Sequence, residues 1–239
     1  MTQFYLPTLK EDSEYLTINS SEFYHIVKSR RAKVGDTIKI FNGRGMTAEA
    51  EIKEIYKDKI SLKIKQRNFF TQKYKVCACL AIIKIDRFEL ALEKLTEVGI
   101  TDIIPIFTER VNVGLDSFTK RYERFQKILI EASKQSHRGF LPLLHSVKKL
   151  EDIFEKNEES LNIVLDKDSN HRIFFINEKI KSSEDIKIFI GPEGGFSSKE
   201  IEFLKQQKNI YFVKISENIL RSETAAIVAS SIVFQIKNC

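Results

Sequence analysis

The spacing of apolar residues changes character about a third of the way along the 239-residue chain. Before that point the period is two. "DTIKIFN" alternates apolar and polar positions, and so does "TAEAEIKEIYKDKISLKIKQR", the mark of half-buried strands. "NGRG" at residues 42–45 and the stretch 57–59 are turn signals between them. A short helical stretch is expected over residues 21–30. Several short strands in so little sequence predict a small β-barrel.

Beyond residue 68 short apolar runs alternate with helical patterns. "YKVCACLAII" suits a buried strand. "DRFELALEKLTEVG" follows, with Phe88, Leu92, Leu95 and Val98 on one helical face and Gly99 as a stop. "TDIIPIF" is the next strand, and "TKRYERFQKILIEASKQSHR" a long amphipathic helix with Tyr122, Phe125, Ile128, Leu129 and Ala132 on its apolar side. "LNIVLD", "IKIFI" and "IYFVKI" are three more strands. Strands alternating with helices predict an α/β unit with a largely parallel sheet. The boundary falls near residues 67–73, giving domains 1–69 and 70–239. Residues 224–236, "TAAIVASSIVFQI", carry no charge. A helix that is apolar all round is covered on more than one side, by the core, by a second subunit, or by both.

Composition narrows the function classes. No run reaches the roughly 20 apolar residues of a membrane span, and "MTQFYLPTLKEDSEY" lacks the pattern of a secretory leader. Of the three cysteines, Cys77 and Cys79 are two apart on a strand and Cys239 is distant. That spacing supports neither a disulfide framework nor a metal site, and a reducing, cytoplasmic setting is expected. The net charge is +6. Residues 1–70 hold 13 Lys and Arg against 9 Asp and Glu, leaving 26 against 24 for the rest. The basic excess of the first third fits an anionic partner such as RNA, and equally a lysine-rich solvated surface.

The chemistry concentrates late. In "IKIFIGPEGGFSSKE" a strand runs directly into Gly191, and Gly194 and Gly195 let a ligand approach the backbone. Pro192 stiffens the turn, and Ser197 with Glu200 forms a capping box for the next helix. No Lys-Ser or Lys-Thr pair follows the glycines, so the turn is not a P-loop. Its glycine spacing and its place after a late strand also exclude the dinucleotide fingerprint. A bare strand-to-helix turn remains open. In "ENILRSETAAIVA" a loop meets the start of the last helix, with Ser222 as the expected N-cap and charged Arg221 and Glu223 beside it. The orphan N–H groups there favour a polar or anionic ligand group.

"GPEGGFSSKE" and "ILRSETA" together resemble the two signature motifs of the SPOUT methyltransferases of the 16S ribosomal RNA uridine-N3 type. "ALEKLTEVGITDIIPIFTERV" resembles that family's first helix and second strand. "EASKQSHRGFLP" resembles its Gln-x-x-Arg segment, and "FYLP" with "HIVKSRRAKVGDTIKIFNGRG" its N-terminal PUA-like barrel. The resemblance covers nearly the whole chain. It implies an α/β-knot with a deep C-terminal trefoil knot and a mostly parallel sheet, preceded by the PUA-like β-barrel. It implies S-adenosylmethionine as cofactor, no metal, 16S rRNA or the small ribosomal subunit as partner, and a homodimer. Ser216 and Asn218 stand where the family often has Gly and Arg. Ser222 replaces a usual Thr, and Ser136 and His137 replace frequent Cys and Gly.

By the resemblance, Leu165, Ile190, Gly191, Glu193, Gly194, Gly195, Ile215, Leu220, Ser222 and Ala225 hold the cofactor. Arg138, Arg221 and Glu223 handle the target, Glu223 as a base or an orienting carboxylate. His137 and His25 are further candidate bases, although a lone His is more often structural or simply exposed. Arg30, Arg31, Lys33 and Arg44 are expected to contact RNA phosphates. Two other readings stay open: the same fold acting at another atom or on transfer RNA, and a non-catalytic RNA-binding module.

Overall fold

The computed structural model describes residues 3–19, 21–24, 26–27, 31–154 and 159–239. The chain divides into two compact units, Met1–Gln72 with Ile130–Leu141, and Lys73–Leu129 with Pro142–Cys239.

The first unit holds β1 (Gln3–Tyr5), β2 (Tyr15–Ile18), α1 (Ser21–Tyr24), β3 (Thr37–Phe41), β4 (Met46–Ile55) and β5 (Ile60–Phe69). The strands form one sheet in the order β1-β3-β4-β5-β2. The period-two pattern is what aims it: along β4, Met46, Ala48, Ala50 and Ile52 are buried while Thr47, Glu49 and Glu51 stand in the more open positions. They meet Phe4, Ile40 and Leu62 in a single core. Residues 130–141, which the sequence boundary places in the second domain, pack in this unit. The Gln3 side-chain amide donates to the carbonyls of Ser133 (3.3 Å) and Arg138 (2.5 Å). The Gly45 N–H donates to the Gly139 carbonyl at 2.9 Å, and the Leu141 N–H to the Gly43 carbonyl at 3.0 Å.

The second unit is a parallel sheet. Its strands are β6 (Lys75–Ala81), β7 (Asp102–Phe107), the short β8 (Leu143–Leu144) and β9 (Lys148–Lys149), then β10 (Leu161–Leu165), β11 (Asp185–Ile190) and β12 (Ile210–Val213). The order is β12-β10-β11-β6-β7-β8, with β9 also beside β7, and every pairing is parallel. Strands buried on both faces read as continuous apolar runs, which explains "VCACLA" in β6. One face packs on α2 (Ile85–Val98), α5 (Asn177–Ser182) and α7 (Ser222–Lys237). The other packs on α6 (Ser198–Lys205) and the 3-10 turn Glu151–Ile153. Gly99, at φ 120°, ends α2 by donating its N–H to the Leu95 and Thr96 carbonyls. After α3 (Leu115–Thr119), α4 (Tyr122–Gln135) adds Phe125 and Leu129 to the same core and then runs on into the first unit.

The register brings three strand ends level. Val164 pairs with Phe189, so Leu165 and Ile190 leave β10 and β11 together. Leu165 also pairs with Val213, the last residue of β12. In parallel α/β sheets the crevice outside the carboxyl ends of the strands is where ligands bind.

Candidate functional site

A cavity of about 570 Å³ opens at those three strand ends. Leu165 closes it from β10, and Ile190 from β11. The glycine turn supplies Gly191, Glu193, Gly194 and Gly195. Ile215 and Leu220 come from the loop after β12, and Ser222 and Ala225 from the first turns of α7. Ten residues spread over 61 positions of sequence, all assigned to one ligand by the family resemblance, therefore line one cavity. Phe212 and Val213 extend the apolar wall, while Arg110, Asp166, Lys167, Asp168 and Lys214 add charge to the lining.

The turn needs its glycines for two different reasons. Gly195 sits at φ +67°, in the left-handed region that costs other residues energy. At Gly191 the constraint is space: a Cβ there would stand 3.2 Å from the Phe196 nitrogen and 3.3 Å from the Gly195 Cα. The Gly195 N–H closes the turn on the Pro192 carbonyl at 2.8 Å. The capping box is present. Ser197 Oγ accepts from the Glu200 N–H (3.2 Å), and Glu200 Oε2 accepts from the Ser197 N–H (2.7 Å). The same carboxylate does more than cap. Its Oε1 accepts from the Glu109 N–H at 2.9 Å, so a buried Glu200 ties the loop after β7 to the turn after β11. Next to it, Arg110 Nη1 donates to the Gly194 carbonyl at 2.6 Å.

Ser222 is not the N-cap expected from the sequence. Arg221 occupies that position in extended conformation, φ −67° and ψ 155°, and makes no side-chain cap bond. The Ser222 hydroxyl instead donates to the Gly191 carbonyl at 2.8 Å, joining the start of α7 to the glycine turn. The bond replaces a local cap with a link across 31 residues.

The three residues assigned to the target do not line the cavity. Glu223 is buried, and its carboxylate is paired at 2.5 Å with Arg87 from the first turn of α2. Arg221 is exposed at the head of α7. Arg138 belongs to the first unit, where burial pushes its guanidinium down to about 10, leaving it protonated at neutral pH. His137, two residues past the end of α4, holds φ 56° and is exposed. Of the expected phosphate contacts, Arg31, Lys33 and Arg44 are exposed in the first unit, with Arg44 Nη2 donating to the Pro7 carbonyl at 3.0 Å. Arg30 and His25 lie outside the described residues.

Sequence reading missed Arg87, Arg110 and the second role of Glu200. Arg110 had a signal: it follows a parallel strand at its carboxyl end, in "PIFTERV". Cys77 and Cys79 are free buried thiols, 3.9 Å apart. Among the described residues no three His, Cys, Asp or Glu side chains gather as a metal cluster, and no helix is long and apolar enough to cross a membrane.

Residues 71–234 match the family described as RNA methyltransferase domain, and residues 18–65 match the RNA methyltransferase PUA domain. The chain is 32% identical to the ribosomal RNA small subunit methyltransferase E of Rickettsia conorii, over 95% of this chain and 92% of that one. A Legionella pneumophila protein solved with the cofactor SAM bound superposes with a TM-score of 0.86 at 26% identity, covering 98% and 97% of the two chains. The ribosomal RNA small subunit methyltransferase E of Neisseria gonorrhoeae, solved bound to S-adenosylmethionine, shares the fold with a TM-score of 0.88 at 24% identity, covering 99% and 98%.

Proposed function

Because the chain belongs to the RNA methyltransferase family, and its first unit matches the accompanying PUA domain, we propose that it methylates N3 of a uridine in 16S rRNA of the small ribosomal subunit, with S-adenosylmethionine as methyl donor. The observation that carries the reading is the meeting of both C-terminal motifs on one cavity, latched by the bond from Ser222 to Gly191. The names of its relatives, small-subunit rRNA methyltransferases, support the substrate class. The choice of N3 rests on the motif resemblance.

The cavity fits the cofactor. Its apolar wall of Ile190, Ile215, Leu220 and Ala225 suits an adenine face, and the charged groups of both signs on the rest of the lining suit a zwitterionic tail. When bound there, S-adenosylmethionine supplies an electrophilic methyl group and needs no metal to transfer it. The chain's own task is alignment and charge. The N3–C bond forms as the S–C bond breaks, the electron pair of that bond stays on sulfur, and the N3 proton passes to solvent water before or during attack. Exposed Arg221 suits stabilisation of the uracil anion, and Arg138, on the first unit, suits a contact to the RNA backbone. Glu223, buried and paired with Arg87, suits the positioning of the head of α7, and of Arg221 beside it, rather than proton transfer. Exposed Arg31, Lys33 and Arg44 suit phosphate contacts that position the RNA. The reading includes a cytoplasmic setting and a homodimer, the dimer supported by the half-covered apolar side chains Val228 and Ile232 in the uncharged stretch 224–236 of the last helix.

The test is methyl transfer from labelled S-adenosylmethionine to small ribosomal subunits that lack their modifications, followed by mass spectrometry of the digested RNA. Label in 3-methyluridine of 16S rRNA is expected, from a preparation whose light-scattering mass is that of two chains. Label in a ribose-methylated nucleoside, or in transfer RNA, would replace the assigned atom or substrate. A one-chain mass with full activity would remove the dimer.

A further inference from the structure

We infer that Arg110 holds the carboxylate of the cofactor's amino-acid tail, an inference that rests on the S-adenosylmethionine reading above. Three cations line the cavity. Lys167 Nζ is paired with both oxygens of Asp168, at 2.9 and 2.8 Å. Lys214 Nζ is paired with Glu217 at 3.2 Å. Arg110 alone of the three faces no carboxylate among the described residues; its partner is the neutral carbonyl of Gly194. A guanidinium carries five N–H donors, and that bond uses one. The side chain is exposed, so the remaining donors are open to a ligand.

The position is fixed from two directions. The backbone of the preceding residue, Glu109, is tied to buried Glu200, and the Arg110 stem lies against Gly194, where a Cβ would stand 3.4 Å from its Cδ. A cation held ready in this way binds an anion without first losing the freedom of its own side chain. S-adenosylmethionine has one anionic group, the carboxylate of its amino-acid tail, and a planar guanidinium matches a carboxylate with two parallel bonds. A phosphate of the RNA is the competing anion. The lining argues against it, because Asp166, Asp168 and Glu193 share the cavity with the cations. A polyanion meets repulsion there. A zwitterionic tail finds partners of both signs, with its ammonium group facing the acids and its carboxylate facing Arg110.

The experiment is calorimetric binding to the full chain of the demethylated cofactor, S-adenosylhomocysteine, and of its analogue S-adenosyl-3-thiopropylamine, which is the same molecule without its carboxylate. Arg110→Gln keeps a donor for the Gly194 carbonyl and removes the charge. Arg110→Lys keeps the charge and removes the planar fork. We expect R110Q to weaken S-adenosylhomocysteine about tenfold while leaving the carboxylate-free analogue unchanged, with R110K between wild type and R110Q. The wild-type chain should prefer the carboxylate-bearing analogue by a similar factor. Equal weakening of both analogues would overturn the inference in favour of a role in shaping the turn. Unchanged binding of both, with a raised KM for RNA, would overturn it in favour of a phosphate contact. Failure of the wild-type chain to bind either analogue would sink the cofactor reading itself, and the inference with it.

Discussion

The turn at residues 191–197 and the loop at residues 214–221 wall the same cavity by different physics. The turn is built from backbone. Glycine conformation sets its path, a buried carboxylate accepts N–H groups from two loops, and Arg110 braces it at Gly194. The loop is built from side chains in water. Glu217 pairs with Lys214 and with Arg172, all three on the surface or near it, and Ile219 is 82% exposed. Its firm links lie at its two ends, where the Lys214 N–H donates to the His171 carbonyl at 2.8 Å and Ser222 bonds to Gly191. The turn therefore has its shape before any ligand arrives. The loop keeps apolar surface that an adenine-sized ligand would cover, and the gain on binding should fall more on the loop than on the turn.

The comparison can be broken at the turn. Glu200→Ala leaves the buried N–H of Ser197 and the part-buried N–H of Glu109 without their acceptor, and a buried loss of this kind costs about 1–3 kcal/mol. We expect denaturant unfolding to show a loss of about 3 kcal/mol; a loss under about 1 kcal/mol would mean that water replaces the carboxylate and that the turn is not held from within. A smaller effect is expected at the joint between the two. Ser222→Ala removes one hydroxyl-to-carbonyl bond, worth about 1 kcal/mol, and S-adenosylhomocysteine affinity by calorimetry should fall several-fold with little change in stability. Unaltered affinity would show that turn and loop hold their places without the latch. The smallest effect belongs to the loop. Glu217→Ala removes two exposed ion pairs and should change the unfolding free energy by less than about 0.5 kcal/mol. A larger change would show that the surface charges order the loop after all.

Legibility followed the range of the interactions. Gly191 and Gly195 announced themselves because strand, glycine and capping box are neighbours in sequence. The cavity lining was named through the resemblance of the two C-terminal motifs to a known family, not from the spacing of residues. The pair Arg87 and Glu223 is separated by 136 residues, and the bond from Glu109 to Glu200 by 91, so no local pattern marks either. Ser222 misled for a different reason: a hydroxyl can accept as a cap or donate elsewhere, and sequence does not say which. The helix Tyr122–Gln135 was clear as a helix from its apolar spacing, but that spacing cannot say which core each end enters. Its last turns, with residues as far as 141, proved to belong to the first unit.

That last feature sets an order on the protein's synthesis. When the first 72 residues have left the ribosome, all five strands of the first unit exist as chain. The carbonyls of Ser133, Arg138 and Gly139 that receive Gln3 and Gly45, and the Leu141 amide that reaches Gly43, are not yet made. The nascent sheet must wait, with those groups in water, while the ribosome adds β6, α2, β7, α3 and α4. The unit that begins the chain is completed only after the second has started.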